Sequence, residues 1–236
     1  MAQIQKRVLE RITKEARNFQ RILQKAKDRD INESDTVTIV TDMLSSLFGY
    51  DKYSEITREF SIRGTYCDLA IQLNGSIKYL IEVKAIGLEL KESHLRQVIG
   101  YGTLHGVQWV VLTNGTHWEI HRIKFEKPVG SELLCSFNIL ELNPRKKDDQ
   151  DILFLLCKEG ISKDAIEDFH KHIKSVNKYI IGAIIQSESG LNNIRREIRK
   201  ITPGIKVEIN EIEEILVNGV LKREIVSGDL PDDAKI

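Results

Sequence analysis

The chain has 236 residues, 41% of them hydrophobic and 30% charged, which supplies a folded core of one or two domains and excludes disordered, collagen-like and disulfide-rich scaffolds. Thirty-five Lys and Arg balance thirty-five Asp and Glu, so no bulk attraction to nucleic acid or membrane is expected. No apolar run approaches the roughly 18–20 residues that cross a bilayer, Met1–Arg7 lacks a signal-peptide stretch, and Cys67, Cys135 and Cys157 have neither zinc-site nor paired spacing. A cytoplasmic protein with reduced thiols and no membrane partner is the expectation.

Charge is unevenly placed along the chain. Residues 1–30 hold nine Lys and Arg against four Asp and Glu, residues 31–143 ten against fourteen, and residues 144–236 sixteen against seventeen. A basic arm, an acidic middle and a balanced tail mark three expected parts, and an acidic middle suits a divalent cation. Ile4, Val8, Ile12, Ala16, Phe19, Leu23 and Ala26 recur every three or four residues, which predicts an amphipathic helix over 3–27. It is expected either to pack on its own domain or to pair with a second copy.

Asp30 to Asp35 break that pattern with capping residues, and Val37, Val40, Met43, Leu44 and Leu47 predict a second helix over about 33–48, closed by Gly49. The period then changes to two. Ile56–Ile62, Tyr66–Leu73 and Ile77–Val83 read as a three-stranded antiparallel meander, with Asn74-Gly75 as its hairpin signal. Ser93–Leu104 reads as a helix, and Trp109–Thr113 and Trp118–Ile123 as strands around the Asn114-Gly115 turn. The order predicts an α/β core with a central mixed sheet flanked by helices. Pro144–Asp151 is charge-dense and reads as a boundary. Beyond it Ile152–Cys157, Lys163–Ser187, Leu191–Ile201 and Asn210–Val217 favour helices, Leu221–Val226 a short strand, and 228–236 a polar end.

The hairpin carries the chemistry. Pairing Leu73 with Ile77 would set Asp68 opposite Glu82, and a two-residue loop would shift this by one; either way the Cβ atoms fall within roughly 5–8 Å. Lys84 follows Glu82 by two and shares its face of the strand. Magnesium takes one or two protein carboxylates plus phosphate oxygens and waters, and an ammonium can orient the attacking water or stabilise developing charge. An ion pair between Glu82 and Lys84 is the plain alternative, but Tyr79–Lys84 is apolar enough to be a central strand, where charges are costly unless paired or metal-bound.

Cys67-Asp68, Glu82-Val83-Lys84, Gln97-x-x-x-Tyr101 and Val110–Trp118 occur in the order in which the PD-(D/E)xK nuclease superfamily places its motifs. The sequence resembles in particular the amino-terminal nuclease domain of type I restriction enzyme R subunits, over about residues 31–125. The resemblance implies a restriction-endonuclease-like core and a Mg²⁺-dependent DNA endonuclease, with Mn²⁺ able to substitute, in a restriction or anti-phage context. It implies that Asp68 and Glu82 are metal ligands, Lys84 the water-orienting or charge-stabilising group, and Glu33 an auxiliary acid. Gln97 and Tyr101 then support the site or contact DNA. Cys67 stands where the family usually has proline, which removes no ligand.

No phosphate loop of the G-x-x-x-x-G-K-[ST] type is present, so a motor or specificity function would come from a separate partner. The six histidines show no zincin spacing. Arg195, Arg196, Arg199 and Lys200 on one predicted helix are candidate phosphate contacts, set against the acids of Glu208–Glu214. RNA as substrate stays open, as does a non-catalytic binding or assembly module that keeps the nuclease fold. Two-strand cleavage by one site per chain favours a homodimer, built by the 3–27 helix or by the carboxy-terminal helices with their Ile180, Ile181, Ile184 and Ile185 cluster. Lys84→Ala is expected to stop cleavage with little loss of fold.

Overall fold

In the computed structural model, residues 3–62 and 65–226 are described, and the polar end expected over 228–236 lies outside them. Two compact units divide the chain, residues 1–166 and 167–236. The division falls after 166, so residues 144–166 belong with the first unit rather than with a separate tail. The reason is helix α4 (Lys147–Leu155), which starts inside the stretch taken as a boundary. Its Asp148 and Asp149 lie in the first turn, where carboxylates suit the helix dipole, and its Leu153, Phe154 and Leu155 are buried.

The first unit is built on one six-stranded mixed sheet in the order β1-β2-β3-β4-β5-β6. Strands β1 (Ile56–Ile62), β2 (Thr65–Leu73) and β3 (Ser76–Val83) form the expected antiparallel meander. Helix α3 (Glu92–His105) then crosses over, so that β4 (Trp109–Thr113) lies parallel to β3, and β5 (His117–Lys124) and β6 (Gly130–Asn138) continue antiparallel. Gly106 ends α3 in the left-handed conformation. Strand β6 is absent from the sequence-based expectation.

Val98 of α3 packs on Ala70, Leu80 and Val110 and covers one face of the sheet. Helices α1 (Lys6–Asp28) and α2 (Glu33–Ser46) belong to the same unit, with α2 against β3 and α1 against α2 and α4. Val8, Ile12, Ala16, Phe19, Leu23 and Ala26 of α1 are all buried. That stripe is therefore consumed by its own unit, and a homodimer built through it is corrected on this ground.

The short helix α5 (Lys158–Ile161) follows α4 in the first unit, and the second unit carries α6 to α10. Where one helix was expected over 163–187 there are two, α6 (Ala165–Ser175) and α7 (Lys178–Gln186), because Asn177 caps α7 by accepting from the N–H groups of Tyr179 and Ile180. Leu191, Val207, Ile212 and Leu216 form its core between α8 (Glu188–Ile201) and α9 (Ile209–Ile215). The strand expected over 221–226 is instead the short helix α10 (Arg223–Val226). A strand needs a ladder partner, and residues 167–226 offer none.

Candidate active site

The register of the hairpin places the acids. Leu73 pairs with Ser76 across the two-residue Asn74-Gly75 loop, and the pairing then shifts beyond Gln72, so that Ile71 meets Tyr79 and Leu69 meets Ile81. Lys78 is the extra residue on β3. One bulge thus converts the two-residue loop into the register that sets Asp68 opposite Glu82. Asp68 Oδ2 accepts the Val83 N–H at 2.8 Å, which fixes its carboxylate at the end of β3.

Glu82 is 1% exposed and Lys84 9%. Lys84 Nζ donates to Glu82 Oε1 at 2.6 Å and lies 3.7 Å from Glu33 Oε2 at the start of α2. Asn32 caps that helix by accepting the Asp35 N–H, and this directs Glu33 toward the strand end. The Lys84 N–H continues the parallel ladder to Thr113 O at 2.8 Å. Glu82 Oε2 is buried with no hydrogen-bond partner.

Two carboxylates pair with one ammonium and the charge of Asp68 acts on it from nearby, and the proton affinities follow. Burial, and then the charge of Asp68, push the Glu82 carboxyl up to about 7 against the pull of Lys84. Burial also raises Asp68, opposed by the Val83 N–H and by Lys84. Burial pulls Lys84 down, yet the hydrogen bond to Glu82 and the charges of Glu82, Glu33 and Asp68 outweigh it, and the ammonium is held above its ordinary value. The Cys67 thiol is raised to about 12 by burial and then by Glu82, and it stays protonated as a donor to Ile81 O at 3.2 Å.

Among the described residues no group of three or more His, Cys, Asp or Glu side chains is placed to hold a metal ion. The donor set instead fits a hard cation shared with a phosphate: two carboxylates on adjacent strands, one with an unsatisfied buried oxygen, and surplus negative charge around one lysine.

Gln97 and Tyr101 stand apart from this group. Gln97 Nε2 donates to the Tyr101 hydroxyl at 3.1 Å, Gln97 is exposed, and the Tyr101 ring packs on the α3 core. Arg195, Arg196, Arg199 and Lys200 belong to α8 of the second unit, where Arg195 donates to Asn192 and Glu197 pairs with Arg196 and Lys200. The structure therefore brings Asp68, Glu82, Lys84 and Glu33 together, and does not bring Gln97 or Tyr101 to them by any hydrogen bond or ion pair among the described residues, while the four basic residues belong to the second unit.

Two neighbours were not read from the sequence. His94, in the first turn of α3, is held below its ordinary value by burial and by the nearby Lys84 charge. Asn114 donates from Nδ2 to Leu88 O at 2.8 Å, while its Oδ1 accepts from Thr116 N, Thr116 Oγ1 and His117 N, tying the β4–β5 turn to the loop after Lys84. Asn114-Gly115 reads in sequence only as a turn signal, and nothing in the spacing reports the link to Leu88. Lys84 itself differs from expectation: it is buried in an ion pair, so its removal carries a cost in stability. No known family, no curated protein and no solved structure matches the chain, and no helix among the described residues is long and apolar enough to cross a membrane.

Proposed function

We propose that the chain is a metal-dependent DNA endonuclease of restriction-endonuclease-like fold, acting in the cytoplasm in a restriction or anti-phage context with any motor or specificity function on a separate protein. The observation that carries this is Glu82: a buried carboxylate with one oxygen on Lys84 and the other unsatisfied, opposite Asp68. A buried unsatisfied carboxylate oxygen is costly for a fold with no use for it. Asp68 and Glu82 would hold the cation. When bound, Mg²⁺ supplies neutralisation of charge building on the cleaved phosphodiester and a more acidic water, and Mn²⁺ can take its place. Lys84, kept protonated by its three carboxylates, donates to the attacking water or to the developing negative charge. Glu33 steadies that ammonium from the α2 side.

Supercoiled and linear DNA incubated with the full chain, with Mg²⁺, with Mn²⁺ and with EDTA, tests the proposal. Metal-dependent cleavage is expected, and Asp68→Asn, which keeps an acceptor for the Val83 N–H, lowers it by at least about a hundredfold. Absence of cleavage with both metals, or an Asp68→Asn variant as active as wild type, overturns it.

A further inference from the structure

The buried stripe of α1 leaves the opposite face of a 23-residue helix to solvent, and that face is cationic. Lys6, Arg7, Lys14, Arg17, Arg21 and Lys25 are exposed along it, six cations against the two exposed acids Glu10 and Asp28. Arg17, Arg21 and Lys25 follow one another at four-residue spacing, so like charges stack on one line of the helix, an arrangement that weakens a helix with no counterpart. Lys14 lies 3.0 Å from Glu15, while Arg17, Arg21 and Lys25 have no ion pair among the described residues. At the amino-terminal end Arg7 and Arg11 line a cleft with Lys158 and Lys163, and Arg11 is occupied by Glu159.

The carboxy-terminal end of α1 lies against the loop that follows Lys84. Lys27 lines a cavity with Ile86 to Leu90, the loop that follows Lys84. Asp30 lies so close to Gly87 that a Cβ there would run into its carboxylate. Two residues further on, Asn32 caps α2, whose Glu33 stands at Lys84. From Arg7 to Lys27 the helix rises about 30 Å, the length of roughly nine base pairs of duplex.

We propose that the solvent face of α1 docks the phosphate backbone of duplex DNA and leads it to the site at the end of β3. The inference rests on the nuclease reading for its choice of ligand, and on the charge line of α1 for its place. Phosphates neutralise the stacked cations, and release of their counterions makes the interaction steeply salt-dependent. An acidic protein or an anionic membrane would meet the same charges but has no reason to be led to Lys84.

The test is binding of a labelled duplex of about twenty base pairs, twice what α1 can cover, in EDTA so that no cleavage intervenes. The full chain is compared with the triple variant Arg17→Gln, Arg21→Gln, Lys25→Gln across a salt series, with circular dichroism to show both folded. Wild type is expected to bind, and the variant to bind at least about tenfold more weakly, with the slope of log K against log salt smaller by about two to three. Failure of wild type to bind the duplex, an unchanged slope in the variant, or an effect of the variant on anionic phospholipid vesicles alone overturns the docking face. Because no metal is present, the result is independent of cleavage: docking can stand while Asp68→Asn shows no catalytic role, and cleavage can depend on Asp68 while the α1 variant binds as wild type.

Discussion

Glu82 and Glu33 pair with the single ammonium of Lys84, the charge of Asp68 lies close by, and burial holds a proton on Glu82 in the folded chain up to about pH 7. Its folded value lies above the ordinary 4.5, so between those limits the native state binds a proton that the unfolded state has released. The associated stability is complete below the unfolded value and is lost as pH rises through about 7. This window sets the behaviour of Lys84→Ala. Above it the substitution leaves an ionised, buried Glu82 beside Asp68 with no cation, which is expected to cost about 3–5 kcal/mol. Below about pH 7 Glu82 is protonated and the cost shrinks. Urea unfolding of the metal-free protein at about pH 5.5 and about pH 8 measures the difference; equal destabilisation at both would show that Lys84 does not hold the Glu82 charge. A cleavage assay on Lys84→Ala must therefore be read beside its stability.

Among the elements, the β4–β5 turn ties down the loop that follows β3. Asn114 is 5% exposed and satisfies three donors and one acceptor with a single side chain. Asn114→Ala leaves Leu88 O and the Thr116 and His117 N–H groups to find water, and about 2–4 kcal/mol of destabilisation is expected. Faster amide exchange confined to residues 85–90 and 114–117 is the measurement; protection unchanged in the 85–90 loop would show that Asn114 serves its own turn alone. The sequence pattern showed the turn and not the tie, since a hydrogen bond to a residue 26 positions away leaves no periodic trace. The same limit explains β6. Its Leu133-Leu134 doublet breaks alternation because Leu134 is the bulged residue between pairs Ile120–Cys135 and His121–Leu133. The α1 stripe was legible because an unbroken period of 3.6 meets one buried face, and the hairpin because the Asn74-Gly75 signal separates two apolar runs, although β3 is buried on both faces from Tyr79 to Val83. The Asp68–Glu82 juxtaposition was legible to within one residue, and the Lys78 bulge supplied the remainder.

For the whole molecule, the basic arm and the core prove to be parts of one folding unit, which decides what removing the arm does. Val8, Ile12, Phe19 and Leu23 are at most 4% exposed, and burial of four such side chains is worth roughly 6–12 kcal/mol. Whole domains are stable by only about 5–15 kcal/mol. The polar links add to the dependence: Arg11 grips both oxygens of Glu159 at 2.8 and 2.6 Å, and Gln20 Nε2 donates to the carbonyls of Ile139 and Leu142 after β6. A chain beginning at Asp30 is accordingly expected to lose the cooperative fold of its first unit, with the apolar surfaces of α2 and α4 uncovered and a tendency to aggregate. An appended dimerisation arm would behave otherwise, leaving a folded monomer. Near-ultraviolet circular dichroism of the truncated chain, which reports the packing of Trp118 against Phe48 and Phe137, together with light scattering, separates the two. A monomeric truncated chain with native Trp118 signal would show that α1 is dispensable to the core and restore it as an assembly arm.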